Sequence, residues 1–348
     1  MRRKLTKDNG ISAVYGGAIL GGGGGGHIEE GLKTVDIIFK HGDLEIIDVE
    51  DLNDDDIVVN VSLVGAPSAA YQHIREKDYK FTVDLMSSLL SKELKGLTTN
   101  ENGAATTING WLQSVLTGLP VIDAPSNGRA HPTGEMGSLN LSEDKTYVST
   151  QTYSGGKDEY HIEGYFKGGL HTTSKGVRDT SVLAGGMVAV CRNPVTVNYL
   201  KENAAIGGVS FAIELGKVYL NSKSPEEKIK NVVEHLQGSV VTSGTVSDYE
   251  LKMEGGYDIG ICNIIDHELT FFNEYMTLEK GEERVSTFPD LIMTFDTKTG
   301  LPVVSANLKE GMHITVISVP KENLILGSTM YNHNLLKQIE SIIHKQIL

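Results

Sequence analysis

The polar side chains best suited to chemistry follow an apolar segment that ends at Asp123. The loop DAPSNGRAHPTGEM (123–136) carries two carboxylates, an amide, a guanidinium and an imidazole. In an open parallel sheet, ligands bind beyond the carboxyl ends of the strands, and this loop follows such an end. Asp123, His131 and Glu135 are of the types that bind a divalent metal. Arg129 suits a substrate carboxylate, which it would hold with two hydrogen bonds.

The same loop allows a purely structural interpretation, in which Asp123 caps the turn and Arg129 pairs with it. A second polar loop, TTNENGAA (98–105), stands at another predicted junction of strand and helix. If the sheet is parallel, this loop lies beside the Asp123 loop, and Glu101 becomes a candidate ligand or base. Alternatively, residues 100–103 only cap the next helix.

Six consecutive glycines, Gly21–Gly26, precede His27 and a predicted helix. Their backbone can take left-handed conformations, and their N–H groups would lie at the positive end of that helix, which suits an anionic or carbonyl ligand. Any six glycines satisfy the dinucleotide pattern G-x-G-x-x-G, and no Gly-Lys-Ser/Thr follows for a P-loop, so no nucleotide is expected. The alternative is a tight helix–helix crossing in which only glycine fits.

Composition limits the partners of this chain. Its 348 residues have a formal net charge of −14, which argues against binding nucleic acid because that requires a basic face. No apolar run reaches the ~18 residues of a membrane span. The basic start at residues 1–4 lacks the apolar region of a signal peptide, and two cysteines are too few for a disulfide framework. We expect a cytoplasmic protein with a small-molecule substrate, and a homo-oligomer is compatible with the sequence.

The pattern of elements predicts two domains. Residues 6–130 alternate between helical and strand patterns, which predicts an α/β N-terminal domain with a mostly parallel sheet at 1–150. A β-rich α+β C-terminal domain is predicted at 151–348, with the junction between residues 140 and 170. The predicted strands are 44–50, 57–65, 94–99 and 119–124, with β hairpins at 145–190, and the predicted helices are 27–41, 78–95, 105–118, 193–217, 224–238 and 332–347.

Several segments, in this order, resemble the S-methyl-thiohydantoin desulfurase-like family over nearly the whole chain. They are AILGGGGGG (18–26), GAP (65–67), GLPVIDAPSNGRAHPTGEM (118–136), AGGMVAV (184–190), FFNEYMTL (271–278) and PDLIMTFDTKTGLP (289–302). The resemblance implies an α/β domain followed by a β-rich domain, and hydrolytic removal of sulfur from a thiohydantoin ring or related chemistry on hydantoin-like rings. His27, His131, Glu135 and the NENGAA segment depart from the commoner family pattern, which marks a divergent subgroup.

Together, the residues and the resemblance predict a hydrolase of a small cyclic ureide or thioureide. In this hypothesis Gly23, Gly24 and Gly25 hold a ring carbonyl or oxyanion through their amides. The remaining candidates are Asn102 and Asn127 for substrate binding, Asp123, His131, Glu101 and Arg129 for catalysis, and His27, Asp123, His131 and Glu135 for a divalent metal that activates water. The alternatives are a non-catalytic metabolite sensor, an accessory subunit of a hydantoinase-type complex, and, more weakly, a nucleotide-binding enzyme.

Overall fold

The computed structural model describes residues 2–65, 69, 71–254 and 257–348. Of the Gly-Ala-Pro sequence that follows the second predicted strand, Ala66 and Pro67 lie outside the described residues. The α-helices are α1 (Lys7–Leu20), α2 (Ile28–His41), α3 (Glu76–Leu89), α4 (Trp111–Thr117), α5 (Leu170–Leu183), α6 (Val197–Asn203), α7 (Gly208–Asn221), α8 (Pro225–His235) and α9 (His333–Ile343). The strands are β1 (Arg3–Leu5), β2 (Leu44–Ile47), β3 (Ile57–Gly65), β4 (Leu94–Thr99), β5 (Val121–Ile122), β6 (Ser149–Gly155), β7 (Ile162–Gly168), β8 (Met187–Thr196), β9 (Ser239–Glu254), β10 (Tyr257–Ile264), β11 (His267–Phe272), β12 (Glu274–Lys280), β13 (Glu283–Thr287), β14 (Leu291–Asp296), β15 (Pro302–Val303) and β16 (His313–Val319).

Two sheets organise the described chain. The first has the order β1-β2-β5-β4-β3-β8-β6-β7. Its centre, β2, β5, β4 and β3, is parallel, and the flanking pairs are antiparallel. The second sheet, β13-β12-β11-β10-β9-β16-β14-β15, is antiparallel throughout. The predicted fold class, an α/β part with a largely parallel sheet followed by a β-rich part, is confirmed.

Sheet membership does not change at the predicted boundary between residues 150 and 151. It changes after β8, which ends at Thr196, because β8 pairs with β3 on one side and with β6 on the other. The hairpin of β6 and β7 therefore belongs to the first sheet.

Several predicted elements have clear local causes. The helix α1 precedes the glycine run and begins with a capping box between Thr6 and Asn9. The start predicted for α8 is present: Ser224 Oγ accepts from the N–H of Glu227 at 3.2 Å, and Pro225 occupies the first turn. The predicted strands at 57–65 and 94–99 are β3 and β4.

Three predicted elements differ from the structure. The helix predicted from residue 105 begins only at Trp111, because Gly110 adopts a left-handed conformation with φ 89°. Within the predicted hairpins, residues 170–183 instead form α5. Hydroxyl groups of the Thr and Ser residues that suggested strands donate to backbone carbonyls of the preceding helical turn, as Thr173 Oγ1 does to the carbonyl of Gly169 at 3.1 Å. The helix predicted at 193–217 is divided into the end of β8, α6 and α7.

The antiparallel sheet and the parallel sheet are joined by the packed helices α1 and α7. Residues of α7 pack against the first sheet through Val209 and Ile213. They pack against the second sheet through Leu215 and Tyr219. A Cβ atom at Gly16 of α1 would lie 1.8 Å from the carbonyl oxygen of Ala212 on α7, so the two backbones touch.

Replacing Gly16 by alanine tests this crossing. In an exposed helix interior the change stabilises by about 1 kcal/mol. Here we expect the free energy of unfolding, measured by urea denaturation, to fall by about 1–3 kcal/mol, the usual cost of overpacking. Gly169→Ala is the control, because open space surrounds that position, and it should change stability little. A Gly16→Ala protein as stable as the wild type would contradict the close crossing.

Candidate functional site

The glycine run Gly21–Gly26 links α1 to α2 and is bonded to both parts of the chain. The carbonyl of Gly22 accepts from the N–H of Tyr275 in the second sheet at 2.8 Å. The carbonyl of Gly25 accepts from the N–H of Ala105, beyond β4, at 3.0 Å. These bonds hold the run between the two sheets.

Two positions explain why the run carries no side chains. A Cβ atom at Gly24 would lie 1.9 Å from Oε1 of Glu274. Gly25 has a φ of 81°, and a Cβ atom there would lie 2.4 Å from the Cα of Gly103. Backbone cannot move aside as a side chain can, so glycine is required at this crossing. The helix–helix crossing considered for the run is instead made by Gly16, earlier in α1.

A cavity of about 510 Å³ opens beside the glycine run. Its volume lies within the range of small-molecule sites, about 300–1,000 Å³. Side chains from the second sheet complete its wall, including Asp258, Asn273 and Glu274. The predicted site residues that line it are Gly23, Gly24, Gly25, His27, Glu101 and His131.

Backbone donors line the cavity at the start of α2. The N–H groups of Gly25, Gly26 and His27 have no acceptor among the described residues. His27 is the N-cap of α2, and its side chain makes no capping hydrogen bond. The N-terminus of this 14-residue helix carries a partial positive charge. This corner of the cavity therefore attracts a carbonyl oxygen or an anion.

Glu101 and His131 form a buried pair in the cavity wall. Nδ1 of His131 lies 3.0 Å from Oε2 of Glu101, and the backbone N–H of His131 donates to the same oxygen at 3.3 Å. The other carboxylate oxygen of Glu101 receives no hydrogen bond within the described chain. The two predicted loops therefore meet, and they present a carboxylate with an open oxygen.

Glu274, at the start of β12, is a second carboxyl in the same cavity. It is buried, and burial raises its pKa well above the usual value, as does the charge of Glu101. Arg129 opposes this shift in pKa. Oε2 of Glu274 has no hydrogen-bond partner among the residues that the structure describes. The shift favours the neutral, protonated carboxyl, which is a hydrogen-bond donor.

Asp258 adds a third acid from the second sheet. Burial raises its pKa, and the nearby His27 opposes the shift. Neither Asp258 nor Glu274 was predicted from the sequence. For Glu274 a signal exists, because FFNEYM places a carboxylate in a strand of apolar residues, and carboxylates are rarely buried without a purpose.

Asp123 does not line the cavity, and its contacts account for it structurally. Its Oδ1 accepts from the N–H groups of Val209 and Ser210, at 2.9 and 3.0 Å, and so caps the N-terminus of α7. Its Oδ2 pairs with Arg3 at 2.9 Å and accepts from the Ser210 hydroxyl. The structural interpretation is correct in assigning a cap, although the partner is Arg3 and not Arg129.

Arg129 also lies outside the cavity wall. It is fully buried, and Nη1 donates to the carbonyl oxygens of Pro289, at 3.2 Å, and Asp290. Its guanidinium lies 4.7 Å from the centre of the Phe288 ring. Burial lowers its pKa to about 10, and the charge of Glu274 opposes this. The group that was predicted to hold a substrate carboxylate instead joins the first loop to the second sheet.

The two predicted substrate-binding amides hold loops in place. Nδ2 of Asn102 donates to the carbonyls of Gly128 and Gly208, at 3.2 and 2.8 Å. Nδ2 of Asn127 donates to the carbonyl of Met136 at 2.6 Å and lies 3.1 Å from Nδ1 of His131. Both side chains are buried outside the cavity wall. They position the loops that carry Glu101 and His131.

The predicted metal ligands are not brought together. Asp123 caps α7, His131 pairs with Glu101, and Glu135 pairs with the exposed His171 at 2.7 Å. His27 remains at the glycine run. Within the described ranges, no group of three or more His, Cys, Asp or Glu side chains is arranged to hold a metal ion. The residues therefore do not fit the predicted metal site.

Comparisons with known proteins also divide this chain into two parts, between residues 161 and 170, which is before α5 and not after β8. Residues 12–161 match the model of the S-Me-THD-like N-terminal domain, and residues 170–329 match that of the S-Me-THD-like C-terminal domain. A crystal structure of a protein from Chromobacterium violaceum is similar at 17% identity, with a TM-score of 0.73, over 98% of this chain and 96% of that one. This likeness shows a shared fold. No curated protein matches significantly. In the described part of the chain, helices are too short or too polar to span a membrane.

Replacing Asp123 by alanine tests its role as a cap. The variant loses the oxygen that accepts from the N–H groups of Val209 and Ser210 in the first turn of α7. It also loses one of the two carboxylates that pair with Arg3, which keeps Asp48 as its partner. We expect the free energy of unfolding in urea to fall by about 1–3 kcal/mol, since a lost cap alone costs about 0.5–2 kcal/mol. Asp43→Ala removes an exposed ion pair with Lys4 and should cost less than about 1 kcal/mol. Equal effects of the two substitutions would contradict the cap.

The raised pKa of Glu274 gives a pH-dependent prediction. The folded protein keeps Glu274 protonated above pH ~4.3, where the unfolded chain loses this proton, so the wild type loses stability as the pH rises. Glu274→Gln does not titrate. We expect the melting temperature of the variant, relative to the wild type, to rise with pH above pH ~4.3 and to level off once the pH exceeds the raised pKa of Glu274. Glu310→Gln, on the exposed surface, should show no such trend. A pH-independent difference for Glu274→Gln would show that its pKa is not raised.

Proposed function

Because this chain belongs to the S-methyl-thiohydantoin desulfurase-like family, we propose that it hydrolyses a small cyclic ureide or thioureide, with loss of sulfur from a thiohydantoin-like ring. The observation that carries the proposal is one cavity with three kinds of group in its wall. These are backbone donors at the glycine run, the Glu101–His131 pair, and the buried carboxyl of Glu274, whose pKa is raised.

The glycine run orients and polarises the ring. The amides of Gly25 and Gly26 donate to a ring carbonyl oxygen or to the negative charge that develops during attack. Such donors contribute most when they are fixed before the reaction, and the bonds that Tyr275 and Ala105 make to this run fix them. The partial charge at the N-terminus of α2 adds to the same effect.

Glu101 acts as the general base, and Glu274 as the general acid. Glu101 takes a proton from water, whose oxygen forms a bond to the ring carbon that carries sulfur. The carbon–sulfur bond then breaks, and Glu274 gives its proton to the leaving sulfur. The proton that remains on the added oxygen passes through solvent to the ring nitrogen, and the carbonyl of a ureide forms. The products are a thiol, or hydrogen sulfide, and the oxygen-containing ring. Proton exchange with solvent restores both carboxyl groups. Two carboxyls with environments that differ in this way commonly divide the acid and base roles.

His131 holds the base in position. Its ring and its backbone N–H both contact Oε2 of Glu101, which leaves the second oxygen for water. Asn127 in turn contacts the His131 ring. This chain of contacts keeps the carboxylate in one orientation, which a general base requires.

The activity is tested directly with S-methyl-thiohydantoin and with hydantoin. We expect purified protein to release methanethiol from the first compound and to form the corresponding hydantoin, measured by gas chromatography and liquid chromatography. If calorimetry shows that the ring compounds bind but no product forms, the alternative of a metabolite sensor is favoured. If the protein neither binds the ring compounds nor forms product, the proposal is overturned.

The roles of the two carboxyls predict the behaviour of their amide variants. We expect Glu101→Gln and Glu274→Gln each to lower kcat by about 10²–10⁴-fold, the usual contribution of general acid–base catalysis. In the wild type, kcat should fall as the pH rises through the raised pKa of Glu274, and this limb should disappear in Glu274→Gln. Glu29→Gln removes an exposed carboxyl of α2 and is the control. A variant of either residue with unchanged kcat would exclude its role.

A further inference from the structure

The positive charge of the cavity wall is concentrated in one side chain. Arg178, on α5, is the only lysine or arginine among the described residues that line the cavity. Its Nη1 donates to the carbonyl of Gly65 at 3.3 Å, and its guanidinium lies 5.8 Å from the centre of the Tyr257 ring. No carboxylate lies within ion-pair distance of Arg178 in the described chain, although the protein has a net charge of −14.

A second arginine lies behind the first. Arg192 is on β8, and alternation along this strand places it on the same face as Val188 and Val190, which pack against Val177 of α5. Its guanidinium makes no hydrogen bond or ion pair within the described residues, and its Nε is buried without a partner. Burial and, to a smaller extent, the charge of Arg178 lower the pKa of Arg192 to about 10, while the charge of Glu101 opposes this shift.

A guanidinium without an ion-pair partner is costly where it is buried, as in Arg192, and the partly exposed Arg178 adds a second like charge. A buried charge requires a partner, and neighbouring like charges increase the cost. The charge of Glu101 partly offsets that of Arg192, whereas Arg178 has no carboxylate partner among the described residues. An anion that enters the cavity would supply the missing partner.

We propose that the cavity binds ligands with an anionic group, which Arg178 contacts directly and Arg192 attracts from behind. This inference rests on the proposed function for the ring, and it adds the chemical class of the substrate, a cyclic ureide or thioureide with a carboxylate substituent. Arg178 takes the role that the sequence suggested for Arg129. The ring occupies the corner between the glycine run and Glu274, and the substituent extends to α5.

Of the acidic residues in the cavity wall, Glu101 is the one that the proposed mechanism keeps ionised, so the anionic group extends away from it toward α5. Burial raises the pKa of Glu274 and of Asp258, which favours their neutral forms. Glu30 is exposed at the start of α2, where solvent screens its charge. The guanidinium of Arg178 remains as the charged group with unused donors.

The test compares hydantoin-5-acetic acid with its methyl ester by titration calorimetry at low salt. Wild-type protein should bind the acid about tenfold or more tightly than the ester, the usual effect of a hydrogen bond to a charged group. Arg178→Gln should lose this preference while it still binds the ester, and Arg178→Lys should keep part of it. Lys175→Gln removes an exposed charge from the same helix and should behave as the wild type.

Succinate, which has no ring, separates this proposal from the proposed function. Binding of succinate to wild type and Lys175→Gln, but not to Arg178→Gln, supports the anion site even if neither ring compound binds, and the ring chemistry then fails alone. Equal affinity of the wild type for acid and ester overturns the anion site, as does an unchanged preference in Arg178→Gln. The anion site is also overturned if the wild type binds neither the acid nor succinate. Circular dichroism confirms that each variant is folded.

Discussion

The site depends on a stretch of backbone that passes where no side chain fits. Gly24 lies against the carboxyl of Glu274, and Gly25 crosses the backbone at Gly103. Because of these two contacts, the residues that follow β4 and the start of β12 lie against the same short stretch of the glycine run, although the two strands belong to different sheets. A larger residue would separate the two carboxyls that the chemistry needs. The entropic cost of six flexible glycines is therefore balanced by the contacts that they permit.

The electrostatics follow from this enclosure. Because the run covers Glu274, that carboxyl loses solvent, and its pKa rises. Glu101 lies in the same cavity but is held by His131, so one enclosed space contains two acids with different environments. Arg129 stabilises the arrangement from outside through the main chain of the second sheet. Its charge limits the cost of a buried carboxyl without reaching the cavity itself.

Much of the frame could be predicted, because helices and strands are encoded locally. The caps of α1 and α8 and the apolar strands β3 and β4 carry their signals within a few residues. The sequence could also predict that the glycine run, Glu101 and His131 lie close together, because each of them follows the end of a predicted helix or strand. The remaining features depend on contacts between residues that are distant in sequence. Asp123 has the features of a catalytic acid in the sequence, and only the folded chain shows that it accepts hydrogen bonds from backbone amides of α7, some 85 residues later. Glu274 and Arg178 come from segments whose neighbours only the folded chain determines.

The central claim is that Glu274 is a neutral acid at the edge of the glycine run. Infrared difference spectroscopy of wild type against Glu274→Gln at pH 7 measures this directly, because a protonated carboxyl absorbs separately from a carboxylate. The account predicts a carboxylic-acid band in the wild type that shifts in D₂O and is absent from the variant. A difference spectrum with only carboxylate bands would show that Glu274 is ionised, and would contradict the account.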